Sequence, residues 1–224
     1  MNASHKNAEE LDVSPQTLTV KEQLILAGEQ LFGQKGIEGT SLREIATKAE
    51  NGNNNAVRYH FGSKEGLIQA IFHYRVAQLE PYRAEMFKIA KAKSTLHDLR
   101  TLIEILYLPH LQICDDVGRH PYIAFLLHYL LYYRPKGMMH VADQASPNGP
   151  NLYLLLKLLR ERFFYLDPDV LERRLLTANV TFFSVVLFHD ELTQRLDQST
   201  FREVLSDTLE QIVAAFNTPV RPME

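Results

Sequence analysis

Residues 40–67 read TSLREIATKAENGNNNAVRYHFGSKEGL, and this stretch decides the fold. Ser41-x-x-Glu44 is a capping box, in which a hydroxyl and a carboxylate satisfy free N–H groups at a helix start. It opens a short helix with Leu42, Ile45, Ala46 and Ala49 on one face. Asn51-Gly52-Asn53 predicts a turn, with Gly52 left-handed and Asn53 capping the next helix. That helix runs from Asn54 to about His60, and Ser63 caps a long fourth one that passes Leu67, Ile71 and Phe72 toward Ile89. Short helix, tight turn, short helix is the layout of a helix-turn-helix. A helix of about eight residues is too short to be stable alone, so its neighbours must hold it. Val57 and Phe61 fall on its inner side, and Asn54, Asn55, Arg58 and Tyr59 on its outer side. Asn suits paired contacts with adenine and Arg with guanine, while Tyr and Lys commonly bind phosphate. A polar bundle surface would explain any one of these residues, and consecutive asparagines are also good caps. The whole package is what favours DNA.

Upstream, Thr19-x-x-Glu22 is a second capping box, opening a helix with Leu24, Ile25, Gly28, Leu31 and Phe32 on its apolar face and Gly36 at its end. Residues 1–18 lack a period and are expected to form a flexible arm, with a tail at 217–224. Further helices are expected at about 95–114, 117–133, 150–165, 168–190 and 200–216. Asp167-Pro168 is a strong start signal, a capping Asp before Pro at the first helical position. Arg134 to Pro150, rich in Pro, Gly and Asn, predicts an exposed loop. No alternating strand pattern of useful length is present. The expected fold is all-α: an N-terminal three-helix DNA-binding domain with a helix-turn-helix at 19–66, then a C-terminal helical bundle at 67–216, about nine helices in total.

With 224 residues, 46% apolar and 23% charged, the chain can bury a sizeable core in one large or two modest domains. A net charge of −3 argues against a protein that coats nucleic acid non-specifically, though a sequence-specific reader needs only a small basic face. Residues 18–65 carry six Lys/Arg and six Glu, so charge alone does not point to DNA. There is no run of eighteen apolar residues to span a bilayer and no secretion signal in the polar first twenty, so no membrane partner and a cytoplasmic location are expected. The single cysteine, Cys114, excludes an internal disulfide and is expected as a small buried hydrophobe. Without a Gly-rich phosphate loop, a GxSxG elbow or an HExxH pair, neither an enzyme, a cofactor nor a metal is expected. One rival stays open, an all-α metal-dependent hydrolase. His189-Asp190 resembles the central pair of metal-dependent phosphohydrolases, with His110, His120, His128 and Asp115 or Asp116 as further ligands. A His-Asp pair at a helix end is far more often a cap.

Residues 20–67 resemble the DNA-binding domain of the TetR family of regulators. The matching residues are Leu24-Ile25-x-Ala27-Gly28-x-x-Leu31-Phe32, Lys35-Gly36, Thr40-Ser41-x-Arg43-x-Ile45-Ala46, Ala49, and Val57-x-Tyr59-His60-Phe61-x-Ser63-Lys64-Glu65-x-Leu67. The resemblance implies a transcriptional repressor (sometimes an activator), a homodimer, and a divergent C-terminal domain that binds a small effector. It also implies that Arg43 touches backbone or bases, that Asn54, Asn55 and Ala56 lie where bases are read, that Arg58 meets phosphate or base, and that Lys64 holds phosphate. Asn53, Tyr59 and His60 complete the expected DNA contacts. The chain departs from the pattern twice. Glu50-Asn51-Gly52-Asn53 replaces a stretch that is commonly Ala-Gly-Val-Ser-like, and Arg58 stands where the family frequently has Tyr.

In the second domain, segment 168–190 presents Leu171, Leu175, Ala178, Phe182, Val185 and Val186 as one stripe, with Val180, Phe183 and Leu187 beside it. A helix apolar on more than one side has two surfaces to bury. A single helix-turn-helix reads few bases, and two-fold pairing doubles the readout of a near-palindromic operator. The resemblance places a four-helix dimer interface on the last two helices, where Leu171, Leu175, Phe182, Val185, Val186, Leu205, Leu209 and Ile212 are the candidates. A monomer with a buried core helix is the other reading. The middle segments are rich in polar-tipped aromatics and histidines, and Tyr107, His110, Phe125, His128, Tyr129, Tyr132 and Phe164 are the candidate pocket for an apolar or aromatic effector. Each of them individually fits ordinary core packing. A regulator that senses a protein partner instead of a ligand remains a third reading.

Overall fold

The computed structural model describes residues 18–53, 55–143, 147–192 and 198–220. The expected arm over residues 1–17, Asn54 and the last four residues of the expected tail lie outside them. The described residues form nine α-helices and no strand: α1 (Val20–Lys35), α2 (Leu42–Lys48), α3 (Ala56–Phe61), α4 (Lys64–Ala92), α5 (Leu99–Tyr107), α6 (Pro121–Tyr132), α7 (Pro150–Arg162), α8 (Pro168–Leu192) and α9 (Gln198–Asn217).

Both capping boxes form. The Thr19 and Ser41 hydroxyls accept from the Glu22 and Glu44 N–H groups, and each glutamate accepts in return from the backbone N–H of its capping residue. The Asp167 carboxylate accepts from the Asp169 N–H at 2.8 Å, so α8 starts at Pro168 as its cap requires. The turn after α2 differs from expectation. Its left-handed residue is Glu50 (φ 52°) and not Gly52. The Glu50 N–H bonds the Thr47 carbonyl and the Asn51 N–H bonds the Ala46 carbonyl, a Schellman ending that normally takes glycine at the position of Glu50. The Asn51 and Asn53 side chains then each accept from the N–H two residues on, which carries the chain into α3.

Three aromatic rings lock α1, α4 and α6 together: Phe125 lies 6.0 Å from Phe32 and 5.4 Å from Phe72. The α1–α6 contact is the most extensive in the molecule, and Gly33 permits it. A Cβ on Gly33 would sit 3.0 Å from the Ala124 Cβ and 3.1 Å from the Pro121 carbonyl oxygen. Helix α4 runs for 29 residues through Pro81 and belongs to both halves of the chain. Glu29 on α1 and Arg75 on α4, both buried, join in a two-pronged ion pair at 2.6 and 2.7 Å.

Helix α8 is long and apolar enough to cross a bilayer by length and composition, but it turns Leu171, Ala178, Phe182, Phe183 and Val186 into the bundle. Its C-terminal end is tied to the start of α6, where Asp190 accepts from the His120 N–H at 2.8 Å and meets His120 Nδ1 at 2.9 Å. Within the segment expected as an exposed loop, residues 134–143 are more structured than that. They hold two short 3-10 turns, bury Val141, and set His140 edge-on against Phe72 at 4.4 Å. Cys114 is exposed rather than buried, since it follows the last packed residue, Ile113, out into the turn before α6.

Candidate nucleic-acid interface and ligand cavity

Helix α3 has six residues, too few to hold itself, and is fixed by what lies beneath it. Val57 and Ala56 are buried, and Phe61 is half-buried under the Lys21 ammonium. The joint with α4 is tighter still. Gly62 (φ 75°) ends α3, the Ser63 hydroxyl accepts from the Gly66 N–H, and a Cβ on Gly66 would lie 2.0 Å from the Phe61 carbonyl oxygen. Only glycine lets the first turn of α4 press this closely against the end of α3.

Against that support, Asn53, Asn55, Arg58, Tyr59 and His60 all stand in solvent, with Arg43 exposed on α2. The Tyr59 ring is 83% exposed, braced only by an edge contact with His60 at 4.9 Å. Two residues expected at DNA sit otherwise. Ala56 faces inward, so its methyl belongs to the core. Lys64 is half-buried and donates to the Ile37 carbonyl at 2.9 Å, leaving two of its three protons for another acceptor.

The second feature is a cavity of about 310 Å³ lined by α4, α5 and the turn after it, α6, α7, α8 and segment 134–143. Its volume is at the small end of the roughly 300–1,000 Å³ range of ligand pockets. Of the seven side chains expected there, His110 and Tyr129 line it. Tyr107 and Phe125 belong to the adjoining core, Tyr107 stacked on Phe182 at 4.8 Å. His128 lies against Gly36 on the α1 side of α6, Tyr132 is exposed, and Phe164 is 84% exposed because its neighbour Phe163 takes the inward position.

His110 Nδ1 is 3.1 Å from the Tyr107 carbonyl oxygen, which can only accept, so the proton sits on Nδ1 and Nε2 is left as an acceptor. Burial, with the Arg83 charge adding to it, pushes this imidazole down to about 3. Periodicity of aromatic residues missed three further lining groups: Arg83, Arg134 and His140. Arg83 was detectable, because Val76, Leu79, Arg83, Phe87 and Ala90 follow helical spacing and a charge within that stripe must go inside. Arg134 grips Asp143 with both terminal nitrogens and reaches Glu172 at 3.2 Å, which depends on the tertiary fold.

The expected dimer stripe also has a definite place. Leu171, Phe182, Val186, Leu205, Leu209 and Ile212 are buried within their own chain, Leu175 lines the cavity, and Val185 is half-buried. Among the described residues, the large apolar side chains that α8 and α9 leave exposed away from the cavity are Phe188 and Val204, with Phe188 69% exposed. The residues weighed for a metal are used differently. His120 is paired with Asp190, and the His189 ring stacks on Phe201 at 3.6 Å. Among the described residues no group of three or more His, Cys, Asp or Glu side chains is placed to hold a metal ion.

Comparison with known proteins gives this geometry a context. Residues 24–71 match the family described as bacterial regulatory proteins, tetR family. The chain is similar in structure to a tetR family transcription regulator from Shewanella sp. PV-4, at 21% identity and a TM-score of 0.53, over 86% of this chain and 96% of that one. A tetR-family regulator from Mesorhizobium loti is similar more distantly, at 18% identity and a TM-score of 0.44, over 87% and 95% of the two chains. The PfmR regulator of Thermus thermophilus stands at 17% identity and 0.43, over 92% and 100%.

Proposed function

We propose that this chain, whose residues 24–71 match the tetR family of bacterial regulatory proteins, is a DNA-binding regulator that acts in the cytoplasm as a dimeric repressor released by a small, largely apolar effector. The observation that carries the DNA reading is α3 itself. A helix too short to stand alone is clamped by Val57, Phe61 and the Gly66 joint so that Asn55, Arg58, Tyr59 and His60 stay outside, making no core contact that would explain them. Selection from a random duplex library should return a near-palindromic motif with half-sites about one helical turn, or a multiple, apart. A selection that enriches no motif overturns the reading. Arg58→Ala should cost about 1–3 kcal/mol and relax preference at one position. Lys64→Ala should weaken all sequences alike and flatten the salt slope by about one.

Dimerisation is proposed through the open side of α8 and α9. Phe188→Asp should give a folded monomer by light scattering, whereas Phe182→Asp should fail to fold, because Phe182 is fully buried in its own chain. A monomeric unmodified chain at micromolar concentration would contradict the dimer.

The effector site is proposed to be the cavity. Helix α6 supplies Tyr122, Leu126, Tyr129 and Leu130 to its wall and packs its other side on α1, so a ligand that moves α6 moves the reading head. Linkage of about 1–3 kcal/mol between ligand and operator is expected. A compound that stabilises the protein yet leaves operator affinity unchanged refutes the coupling.

A further inference from the structure

The charges around the cavity do not balance. Arg83 on α4 is 1% exposed and lines the cavity, and its Nε has no hydrogen-bond partner. Its one ion-pair contact among the described residues is long, 3.5 Å from Nη1 to the Glu80 carboxylate. That carboxylate is already engaged, because it accepts from the Asn151 N–H at 2.7 Å, the Leu152 N–H at 3.1 Å and the Asn151 side-chain amide at 2.9 Å. Glu80 thus spends its charge on the N-terminus of α7, where N–H groups and the helix dipole favour an anion. Arg83 is left as a buried guanidinium without a satisfied counter-charge, a costly state in a packed interior. Burial lowers its proton affinity accordingly.

The rest of the wall adds to the imbalance. Four arginines, Arg83, Arg134, Arg160 and Arg173, face two carboxylates, Asp143 and Glu172, and Arg134 takes both. Arg160 and Arg173 are exposed, which puts positive charge at the mouth. Between mouth and Arg83 the surface is aliphatic and aromatic, from Leu126, Leu130, Leu152, Leu156 and Phe183. An anion is drawn in by the field of the mouth, and a planar guanidinium suits a carboxylate with two parallel hydrogen bonds. We propose that the cavity takes an amphipathic organic acid, its apolar tail on the leucine wall and its carboxylate on the Arg83 guanidinium. The inference rests on the cavity being the effector site and names the chemical class that site accepts. The neighbouring His110 Nε2 lone pair accepts a hydroxyl or amide N–H placed near the acid group.

The test uses the full chain and matched probes: octanoate, decanoate and 4-phenylbutyrate, each beside its methyl ester, titrated calorimetrically at neutral pH. The acids should bind tighter than their esters by about tenfold or more, the scale of a charge-assisted pair. Arg83→Met should abolish that preference while leaving ester binding within about threefold, and should melt higher than the parent without ligand, since it removes an unpaired buried cation. Arg83→Gln serves the same purpose should the methionine variant not fold. Acid and ester binding alike would overturn the anion assignment while leaving the cavity as a ligand site. Acids that bind Arg83→Met or Arg83→Gln as well as the parent would overturn it too. Binding of neither series would overturn both this inference and the effector site.

Discussion

Replacing Glu29 with leucine tests how the DNA-reading half is held to the rest of the molecule. Glu29 and Arg75 lie 46 residues apart and meet inside, through Nε to one carboxylate oxygen at 2.6 Å and Nη2 to the other at 2.7 Å. The guanidinium also donates from Nη1 to the Gln78 amide oxygen, at 2.6 Å. Burial pushes the Glu29 carboxyl up, and the hydrogen bonds and charge of Arg75 pull it back. Glu29→Leu keeps the volume and leaves Arg75 with the neutral Gln78 in place of a carboxylate, so it should cost about 3–5 kcal/mol, the range for breaking a buried pair from one side. At about 2–4 °C per kcal/mol for a chain of this length, the melting temperature should fall by about 6–20 °C. Arg75→Met should cost a comparable amount. The double variant should recover most of the loss, because an apolar pair of similar volume needs no counter-charge. Urea unfolding of all four proteins closes the cycle: with singles of about 3 kcal/mol or more each and a double of about 2 or less, a coupling of at least about 4 kcal/mol is expected. Single-variant costs that simply add in the double would refute the argument, as would a Glu29→Leu cost below about 1 kcal/mol.

Three other positions carry expectations of their own. Glu50→Gly should stabilise the chain by about 0.5–1 kcal/mol, since glycine relieves a left-handed side-chain conformation, and a lowered melting temperature would count against it. Gly66→Ala should weaken operator binding on the order of tenfold and cost about 1–3 kcal/mol in stability, because its methyl displaces the end of α3; unchanged anisotropy titrations would contradict this. His110 is held neutral by the fold, its value lowered from 6.5 to about 3. The unfolded chain therefore binds the extra proton first: the contribution is full above pH 6.5 and is lost as pH falls toward the folded value, by up to about 1.4 kcal/mol per pH unit. His110→Gln should show a shallower acid slope than the parent, and identical slopes would sink the assignment.

Signals written in adjacent residues proved readable. The capping boxes at Thr19 and Ser41, the Asp167-Pro168 start and the Ser63 cap form as their chemistry requires, because each is closed by residues within one turn. The helix-turn-helix was legible for the same reason. What failed to be legible depends on contacts far along the chain. Periodicity correctly grouped Leu171, Phe182 and Val186 on one face of α8, but it cannot say whether that face meets its own bundle or another copy. The Phe163–Phe164 pair shows the same limit on the smallest scale, one ring in the core and the other in water. The left-handed turn residue was misplaced because glycine permits that conformation without compelling it, and the Schellman bonds of α2 put Glu50 there instead. Arg83 and Glu80 escaped notice because charged residues on a long helix are usually solvated. Only the approach of α7 shows that Glu80 is already committed.

The close seat of α6 on Gly33 bears on how this protein can diverge. One side of α6 forms wall for the cavity while the other packs on α1, so under the proposed function a substitution there that reshapes the cavity should also shift the helix-turn-helix. Helices α7 and α8 contribute Leu152, Leu156, Leu175, Leu176 and Asn179 to the same cavity, and neither helix packs extensively on α1, α2 or α3. If the cavity is the effector site proposed above, new ligand preferences should accumulate on that wall with DNA recognition unchanged. Descendants of this chain should vary in chemistry along α7 and α8 and stay conservative along α6.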